Sequence, residues 1–158
     1  MSVDLKIKNL DAFNKKLNKK LQDNKVKTFV TRATLMVQNT AKESITKGGT
    51  GRLYQKYEPR RSHRASAPNE PPASDTGFLV SQITMNVDKK ADGSVIGQVI
   101  SAAPYSAHLE FGTTNMTERP FMQPALEKNR RKIHAMFKKG VLKWVLVSFN
   151  YKVQFIQH

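Results

Sequence analysis

Residues 104–125 read PYSAHLEFGTTNMTERPFMQPA and differ in composition from the rest of a lysine-rich chain. They include three prolines and the aromatic residues Tyr105, Phe111 and Phe121, and Arg119 is their only lysine or arginine. Proline restricts the backbone and aromatic rings supply large contact areas, so this combination is typical of rigid packing and docking surfaces. Nothing in the stretch has the pattern of a reaction centre.

On its C-terminal side, this stretch runs into a predicted helix. Pro124 suits the first turn, where a missing backbone N–H costs nothing. The apolar stripe of this helix comprises Leu126, Ile133, Met136 and Phe137. Gly140 suits the end of the helix. The opposite side is strongly basic and carries Lys128, Arg130, Arg131, Lys132, Lys138 and Lys139.

On its N-terminal side, the sequence predicts a β-hairpin and a short helix. Alternate positions of residues 79–87 are mostly apolar, as on one buried face of a sheet. Asp92-Gly93 has turn chemistry, and residues 95–101 return with Val and Ile. Pro104 ends this strand, and residues 105–111 predict a short helix that Gly112 closes.

The first fifty residues predict two helices. Asn9 suits the N-cap of the first helix, over residues 10–21, whose apolar residues recur at spacings of three and four. The second helix covers residues 26–47 and ends at Gly48-Gly49. We interpret the lysine rows on both helices as solvated faces.

In residues 48–77 the apolar residues recur at neither helical nor strand spacing, and the segment is rich in Gly, Pro, Ser and Arg. We therefore predict a long loop. A loop of this length within a compact domain is usually functional or disordered. Its arginines and tyrosines suit either contacts to phosphates and bases or ordering against a neighbouring subunit. These interpretations rest on Arg52, Tyr54, Lys56, Tyr57, Arg60, Arg61, Arg64, Pro68, Pro71 and Pro72.

The composition indicates anionic partners. The 158 residues include 27 lysines and arginines against 12 acidic residues, a formal charge of +15. Residues 128–158 carry eight basic and no acidic groups, whereas residues 65–127 carry three and seven. Such an uneven distribution suits separate surfaces for DNA or for acidic proteins.

Two further observations concern the cellular compartment of the protein. The absence of cysteine excludes a disulfide framework and fits a reducing cytoplasm. The first residues lack an apolar signal-peptide core, and no run of about 18 apolar residues occurs. We therefore expect no membrane partner.

No enzymatic activity is expected. Asp75-Thr76-Gly77 matches the aspartic-protease triplet, but residues 71–74 (PPAS) before it are not the apolar strand that such a triplet follows. We interpret Asp75 or Thr76 as ending the loop and capping the next turn. The histidines, at 63, 108, 134 and 158, lack metal-ligand spacing, and residues 48–52 (GGTGR) lack the ending of a phosphate-binding loop. No catalytic, metal-binding or cofactor-binding residue is predicted.

Two motif blocks carry a family resemblance. The first comprises HRASAP at 63–68, EPPA at 70–73, DTG at 75–77 and Leu79. The second comprises PYSA at 104–107, LEFGT at 109–113, RPF at 119–121 and PA at 124–125. With the hairpin between them and helices before them, these blocks resemble the tail-completion (neck) proteins of long-tailed, non-contractile bacteriophages, also called tail components or minor head–tail joining proteins. The resemblance covers roughly residues 1–140.

The resemblance implies a structural α+β subunit that forms a ring, expected to be a hexamer, at the head–tail junction. It implies contacts with other copies, with the connector or head-closure protein, with the tail terminator or tail tube, and non-specifically with DNA in the channel. The expected location is the virion neck, after assembly in the host cytoplasm. The predicted interface comprises Arg52, Tyr54, Arg60, Arg61, Arg64, Pro68, Pro71, Pro72, Glu110, Thr113, Arg119 and Phe121.

Residues 141–158 extend beyond the single domain predicted over residues 1–140. Phe149, Tyr151 and Val153 alternate with polar residues, which predicts a strand. A terminal strand needs a sheet edge, from its own chain or from a neighbour. We hypothesise addition to a neighbouring subunit or adjacent ring protein.

An alternative to the neck protein is an autonomous nucleic-acid-binding module. It would use the loop at residues 52–64 and the basic helix at residues 128–143. Its predicted contacts to DNA or to an acidic partner are Lys128, Arg130, Arg131, Lys132, Lys138 and Lys139.

Within residues 104–125, the sequence predicts a division of roles. We expect Tyr105, Leu109 and Phe111 to pack the core of the subunit. Glu110 is expected to pair with a basic group, in the same or the next subunit. The loop at residues 113–119 is the predicted interface, with Pro120-Phe121 as its anchor.

Overall fold

In a computed structural model, the chain forms antiparallel sheets and helices over the residues that the structure describes, which are 2–7, 23–57, 60–91, 94–140 and 149–154. Side-chain packing is described within 26–57, 60–91 and 94–138. The elements are β1 (Ser2–Ile7), α1 (Asp23–Thr46), β2 (Leu53–Tyr57), β3 (Arg60–Arg64), α2 (Phe78–Ser81), β4 (Ile83–Lys89), β5 (Val95–Ser101), α3 (Ser106–Phe111), α4 (Met122–Gly140) and β6 (Phe149–Gln154). The predicted α+β class is confirmed.

The main sheet has four strands in the order β4-β5-β1-β6, and each neighbouring pair is antiparallel. Strands β4 and β5 form the predicted hairpin, with Ile83 opposite Ser101. Its first strand begins later than predicted, because Leu79 and Ser81 belong to the helical turn α2. The Ser81 amide donates to the Gly77 carbonyl at 2.9 Å, a local bond that a short alternating pattern does not reveal.

Segments near both ends of the chain enter this sheet. Strand β1 was not predicted, although residues 2–7 (SVDLKI) alternate polar and apolar side chains in sequence. Strand β6 confirms the predicted terminal strand and pairs with β1, with Ser2 opposite Gln154. The structure thus corrects the hypothesis of addition to a neighbour, because β1 of the same chain supplies the edge. The predicted helix at 10–21 lies outside the described residues.

Helix α1 packs across the β4–β5 hairpin and forms the centre of the core. Its residue Val30 and the strand residues Ile83 and Val99 are buried in one apolar cluster. A side chain at Gly97 would prevent this packing, because a Cβ atom there would overlap the Thr34 hydroxyl and lie 3.0 Å from Val30 Cγ1. The glycine therefore permits the helix to approach the sheet closely.

Helix α4 packs on α1 through the predicted apolar stripe. Ile133 and Phe137 are buried, and the Phe137 ring lies 6.0 Å from that of Phe29 on α1. The buried Asn129 amide donates to Thr40 Oγ1 and to the Ala125 carbonyl, each at 2.8 Å. The side of α4 that faces away from α1 is left for the basic residues.

Candidate assembly interface

Glu110 joins the two halves of the stretch at residues 104–125. Its carboxylate lies in α3, is 3% exposed and accepts backbone N–H bonds from Phe121 at 2.8 Å, Met122 at 3.0 Å and Gln123 at 2.8 Å. These amides form the N-terminus of α4, where backbone donors have no partner within the helix and where the helix dipole favours negative charge. Glu110 therefore acts as a helix cap supplied by a different helix.

The aromatic residues of the same stretch divide differently from the prediction. Leu109 packs against the core as expected, but Tyr105 and Phe111 are 41% and 48% exposed, so their assignment to the core is wrong. Phe121 is fully buried. Tyr105 precedes α3 and Phe111 ends it, next to Gly112, which has a φ of 74°.

Residues 48–77 were predicted to be a loop but contain a β-hairpin. Strands β2 and β3 pair over five residues each, with Leu53 opposite Arg64 and Tyr57 opposite Arg60. Neither strand has a fully buried position, so the usual alternation of apolar and polar residues is absent. That absence explains why a sequence pattern failed to predict these strands.

The register gives this hairpin an inner and an outer face. Directly opposed residues share a face, so Tyr54, Lys56, Arg61 and His63 lie on the inner one. The outer face carries Leu53, Gln55, Tyr57, Arg60, Ser62 and Arg64. Tyr57 is 78% exposed and Leu53 is 47% exposed, so both present apolar surface on this face.

Asp75 ties the inner face to the rest of the subunit. Its carboxylate binds the Lys56 ammonium and, at 2.9 Å, Arg61 Nη2, while His63 Nδ1 lies 3.9 Å away. Hydrogen bonding from Lys56 lowers the pKa of Asp75, partial desolvation opposes this, and the charge of Arg61 adds to the lowering. Thr76 Oγ1 accepts a bond from the Phe78 amide at 3.3 Å, but the N-cap position of α2 is Gly77.

Glu70 holds the proline-rich segment at residues 65–74 in place. Its carboxylate accepts bonds from the Thr50 hydroxyl, from the Thr50 amide at 3.0 Å and from the Ala67 amide at 3.0 Å. The Thr50 hydroxyl bond is the main cause of the lowered pKa of Glu70. The Ser74 amide also donates to the Ile45 carbonyl of α1 at 3.0 Å. The segment is therefore attached to the subunit at both ends.

The loop at residues 113–119 lies beside this proline-rich segment. The Asn69 amide donates to the Glu118 carbonyl at 3.0 Å, and the Arg119 amide donates to the Leu109 carbonyl at 2.6 Å. The loop turns between Thr113 and Met116. Two segments predicted separately as interface are thus neighbours on one side of the subunit.

A groove with a volume of about 440 Å³ separates the hairpin from the stretch at residues 104–125. Its walls include Tyr54 of β2, Asp75, Phe78 of α2, Tyr105 and Arg119. The Phe78 and Tyr105 rings lie 6.2 Å apart at a tilt of 37°. The sequence did not indicate that Phe78 and His63 contribute to this region, because only the fold brings them beside Tyr105 and Asp75.

The predicted interface residues fall into three groups by exposure. Exposed are Arg52, Tyr54, Arg60, Arg64, Pro68 and Thr113; half-buried are Arg61, Pro71 and Arg119; buried are Pro72, Glu110 and Phe121. The last three pack inside the subunit, so we leave them out of the interface proposed below.

Helix α4 presents the second predicted surface. Lys128, Arg130, Arg131, Lys132 and Lys138 are exposed, and the side chain of Lys139 lies outside the described residues. Arg130 lies 3.5 Å from Glu127 in an exposed ion pair. The structure therefore places five of the six basic residues where an anionic partner can reach them.

Neither a metal centre nor a membrane span is found in the described part of the chain. No cluster of three or more His, Asp or Glu residues there is arranged to hold an ion. No described helix combines the length and the apolar character needed to cross a bilayer.

Comparison with known proteins gives one family. Residues 8–112 match the HK97-gp10-like family model, described as "Bacteriophage HK97-gp10, putative tail-component". No curated protein and no solved structure matches the chain significantly. The matched range spans about two thirds of the chain and includes the first motif block and the second as far as Gly112, in agreement with the resemblance seen in the sequence. The chain therefore belongs to the HK97-gp10-like family of bacteriophage tail components.

Proposed function

We propose that this chain is a structural, non-enzymatic subunit of the virion neck, which forms a ring at the head–tail junction and joins the tail to the connector around the DNA channel. Membership of a tail-component family supports a structural role in the virion. The observation that carries the ring is the outer face of the β2–β3 hairpin. This face has large apolar side chains and arginines but no covering element among the described residues.

An isolated two-stranded hairpin is marginally stable in water, so this one gains from a partner. Its inner face is held by Asp75, and its outer face exposes Leu53, Tyr57, Arg60 and Arg64. Tyrosine and arginine are the residue types that most often dominate binding energy at protein interfaces. A neighbouring subunit that covers Tyr57 would bury apolar area and, by the same contact, order the hairpin.

Charge sets a condition on this assembly. Each subunit carries a formal charge of +15, so copies repel one another at low ionic strength. Salt shortens the range of this repulsion to about 10 Å at 0.1 M and less at higher concentration. Rings are therefore expected to form more readily at moderate salt, or when the connector, the tail proteins or DNA supply negative charge.

The test is the mass and shape of the purified chain, measured by light scattering and electron microscopy at low and at moderate salt. The double variant Leu53→Ser/Tyr57→Ser should reduce the ring fraction at least about tenfold, because it removes the apolar part of the contact. Leu35→Ser is the matched control, since Leu35 is 41% exposed on α1, away from the hairpin. Rings that form equally well in the double variant would remove the hairpin from the interface. A chain that stays monomeric alone and with its tail partners would overturn the ring.

The exposed basic residues of α4 favour a second candidate, the autonomous nucleic-acid-binding module. Such a module should bind duplex DNA tightly as a monomer or dimer, with an affinity that falls steeply as salt rises. Replacement of Lys128, Arg131 and Lys132 by glutamine should then weaken binding and reduce the salt slope. A neck subunit should instead show weak, non-specific DNA binding at physiological salt.

A further inference from the structure

We propose that the groove between the β2–β3 hairpin and the stretch at residues 104–125 binds an acidic segment of another virion protein, and that Arg119 receives its carboxylate. This inference rests on the proposed function in one respect, namely that the acidic segment comes from another virion protein. The groove is distinct from the outer hairpin face, because Tyr54 and His63 line it from the inner face.

Arg119 is the observation that points to a ligand. Its Nε atom is buried, yet no acceptor among the described residues binds it. No described carboxylate lies within ion-pair distance of its guanidinium. Arg61 Nε is also buried without an acceptor, but the guanidinium of Arg61 binds Asp75 through Nη2. A donor that is shielded from water and lacks an acceptor is costly, and a carboxylate is the acceptor that best matches the guanidinium fork. A small rotation of the guanidinium towards a carboxylate in the groove would remove that cost.

The groove's own charge does not oppose such a ligand. Asp75 is the acidic side chain in its walls, and Lys56 and Arg61 both pair with it. Arg119 adds a positive charge to the same walls. The region is therefore positive overall, and complementarity favours an acidic occupant over a second copy of a chain with a charge of +15.

The walls favour a protein segment over DNA. Tyr54, Phe78 and Tyr105 line the groove and are 41–46% exposed. These rings can pack against apolar side chains of an extended peptide while its carboxylate reaches Arg119. A phosphate of duplex DNA is held on a wide, stiff backbone and cannot bring the same apolar contacts into a cavity of about 440 Å³.

The test uses the full chain and a fluorescently labelled synthetic peptide in which glutamate and tyrosine alternate. The same peptide with glutamine for glutamate serves as the neutral probe. Arg119→Lys keeps the charge but removes the Nε donor, and should weaken binding of the acidic peptide about 10- to 100-fold. Arg60→Gln, on the outer face, should change it less than about threefold. The arginine Nε–H resonance that disappears in Arg119→Lys should shift when the peptide is added to the unchanged protein.

Tyr54→Ser provides a second variant that leaves Arg119 in place. Tyr54 is 46% exposed, so its replacement should preserve the fold and weaken peptide binding. Equal losses in Arg60→Gln and Arg119→Lys would show binding by diffuse charge and overturn the proposal. Equal binding of the neutral peptide would overturn it as well, as would Arg119-dependent binding of duplex DNA in preference to the acidic peptide. Peptide binding is measured separately from ring formation. A negative result for peptide binding therefore does not contradict the proposed ring, and the absence of rings does not contradict the proposed groove.

Discussion

Two carboxylates, Glu110 and Asp75, hold the regions on either side of the groove in different ways. Glu110 is 3% exposed and binds three backbone amides that begin α4. Asp75 is about a quarter exposed and binds the flexible side chains of Lys56 and Arg61. The first begins a helix of the core, whereas the second holds a hairpin through side-chain ion pairs, and we expect that hairpin to open more readily than the core.

This difference indicates where the two regions act. Backbone amides at a helix start have no other partner once buried, so the loss of Glu110 affects the whole fold. Lysine and arginine side chains that leave Asp75 are solvated at little cost, so the loss of Asp75 affects the hairpin alone. We therefore expect the stretch at residues 104–125 to act mainly as scaffold, and we propose the β2–β3 hairpin for assembly.

The largest effect is expected from Glu110→Ala. It leaves three buried N–H groups without an acceptor and should lower the free energy of unfolding by about 2–4 kcal/mol. The loss of stability in Glu110→Gln should lie between zero and the loss in Glu110→Ala. The amide oxygen of glutamine still accepts a bond, but its NH₂ group faces backbone N–H donors. Urea denaturation measures both, with Glu118→Ala as an exposed control expected to change stability by less than about 0.5 kcal/mol. A change in Glu110→Ala no larger than that of the control would contradict the capping role.

A smaller, local effect is expected from Asp75→Asn. The hairpin amides at residues 53–57 and 60–64 should exchange with solvent faster, because the ties to Lys56 and Arg61 weaken. Hydrogen exchange by mass spectrometry or NMR measures this, with the amides of β5 as internal reference. The global unfolding midpoint should move much less than in Glu110→Ala. Unchanged hairpin exchange would show that another contact holds the inner face.

The smallest effect is a dependence of hairpin protection on pH. The pKa values of Asp75 and Glu70 are lowered from 3.8 and 4.5, so each carboxylate stabilises the folded form above its ordinary pKa. This contribution should be constant near neutral pH and disappear as the pH falls through the lowered, folded-state values. Amide exchange followed on acidification measures it, after correction for the intrinsic rate. In Asp75→Asn, the loss of hairpin protection that is due to protonation of Asp75 should be absent. If this variant lost as much protection on acidification as the unchanged protein, a group other than Asp75 would be responsible.

Periodic patterns predicted the elements that bury one face. Helix α1, the β4–β5 hairpin and the apolar stripe of α4 each repeat at the spacing of their structure, because burial selects apolar residues at that spacing. The β2–β3 hairpin buries neither face completely, so its sequence had no such repeat. Tyr105 and Phe111 were predicted to lie in the core, but both are exposed, because a helix of six residues is too short for its sequence to show which side is buried.

The candidate site was predicted in part. Arginine, tyrosine and proline at residues 52–72 indicated an interface because these types are typical of docking surfaces. Their division into inner and outer hairpin faces depends on the register of β2 with β3, which the sequence does not specify without a buried face. The contacts of Lys56 and His63 with Asp75 therefore follow only once that register is known.

The sequence by itself determined the charge of +15, the basic side of α4, the class of fold and, through its motifs, the family. These properties depend on residue type and local spacing, both of which can be read directly from the sequence. Only the tertiary structure decided that Glu110 caps α4, that Asp75 holds the hairpin and that Arg119 lines a groove without an acceptor. Each of these depends on contacts between segments far apart in sequence, and packing of the whole chain sets those contacts.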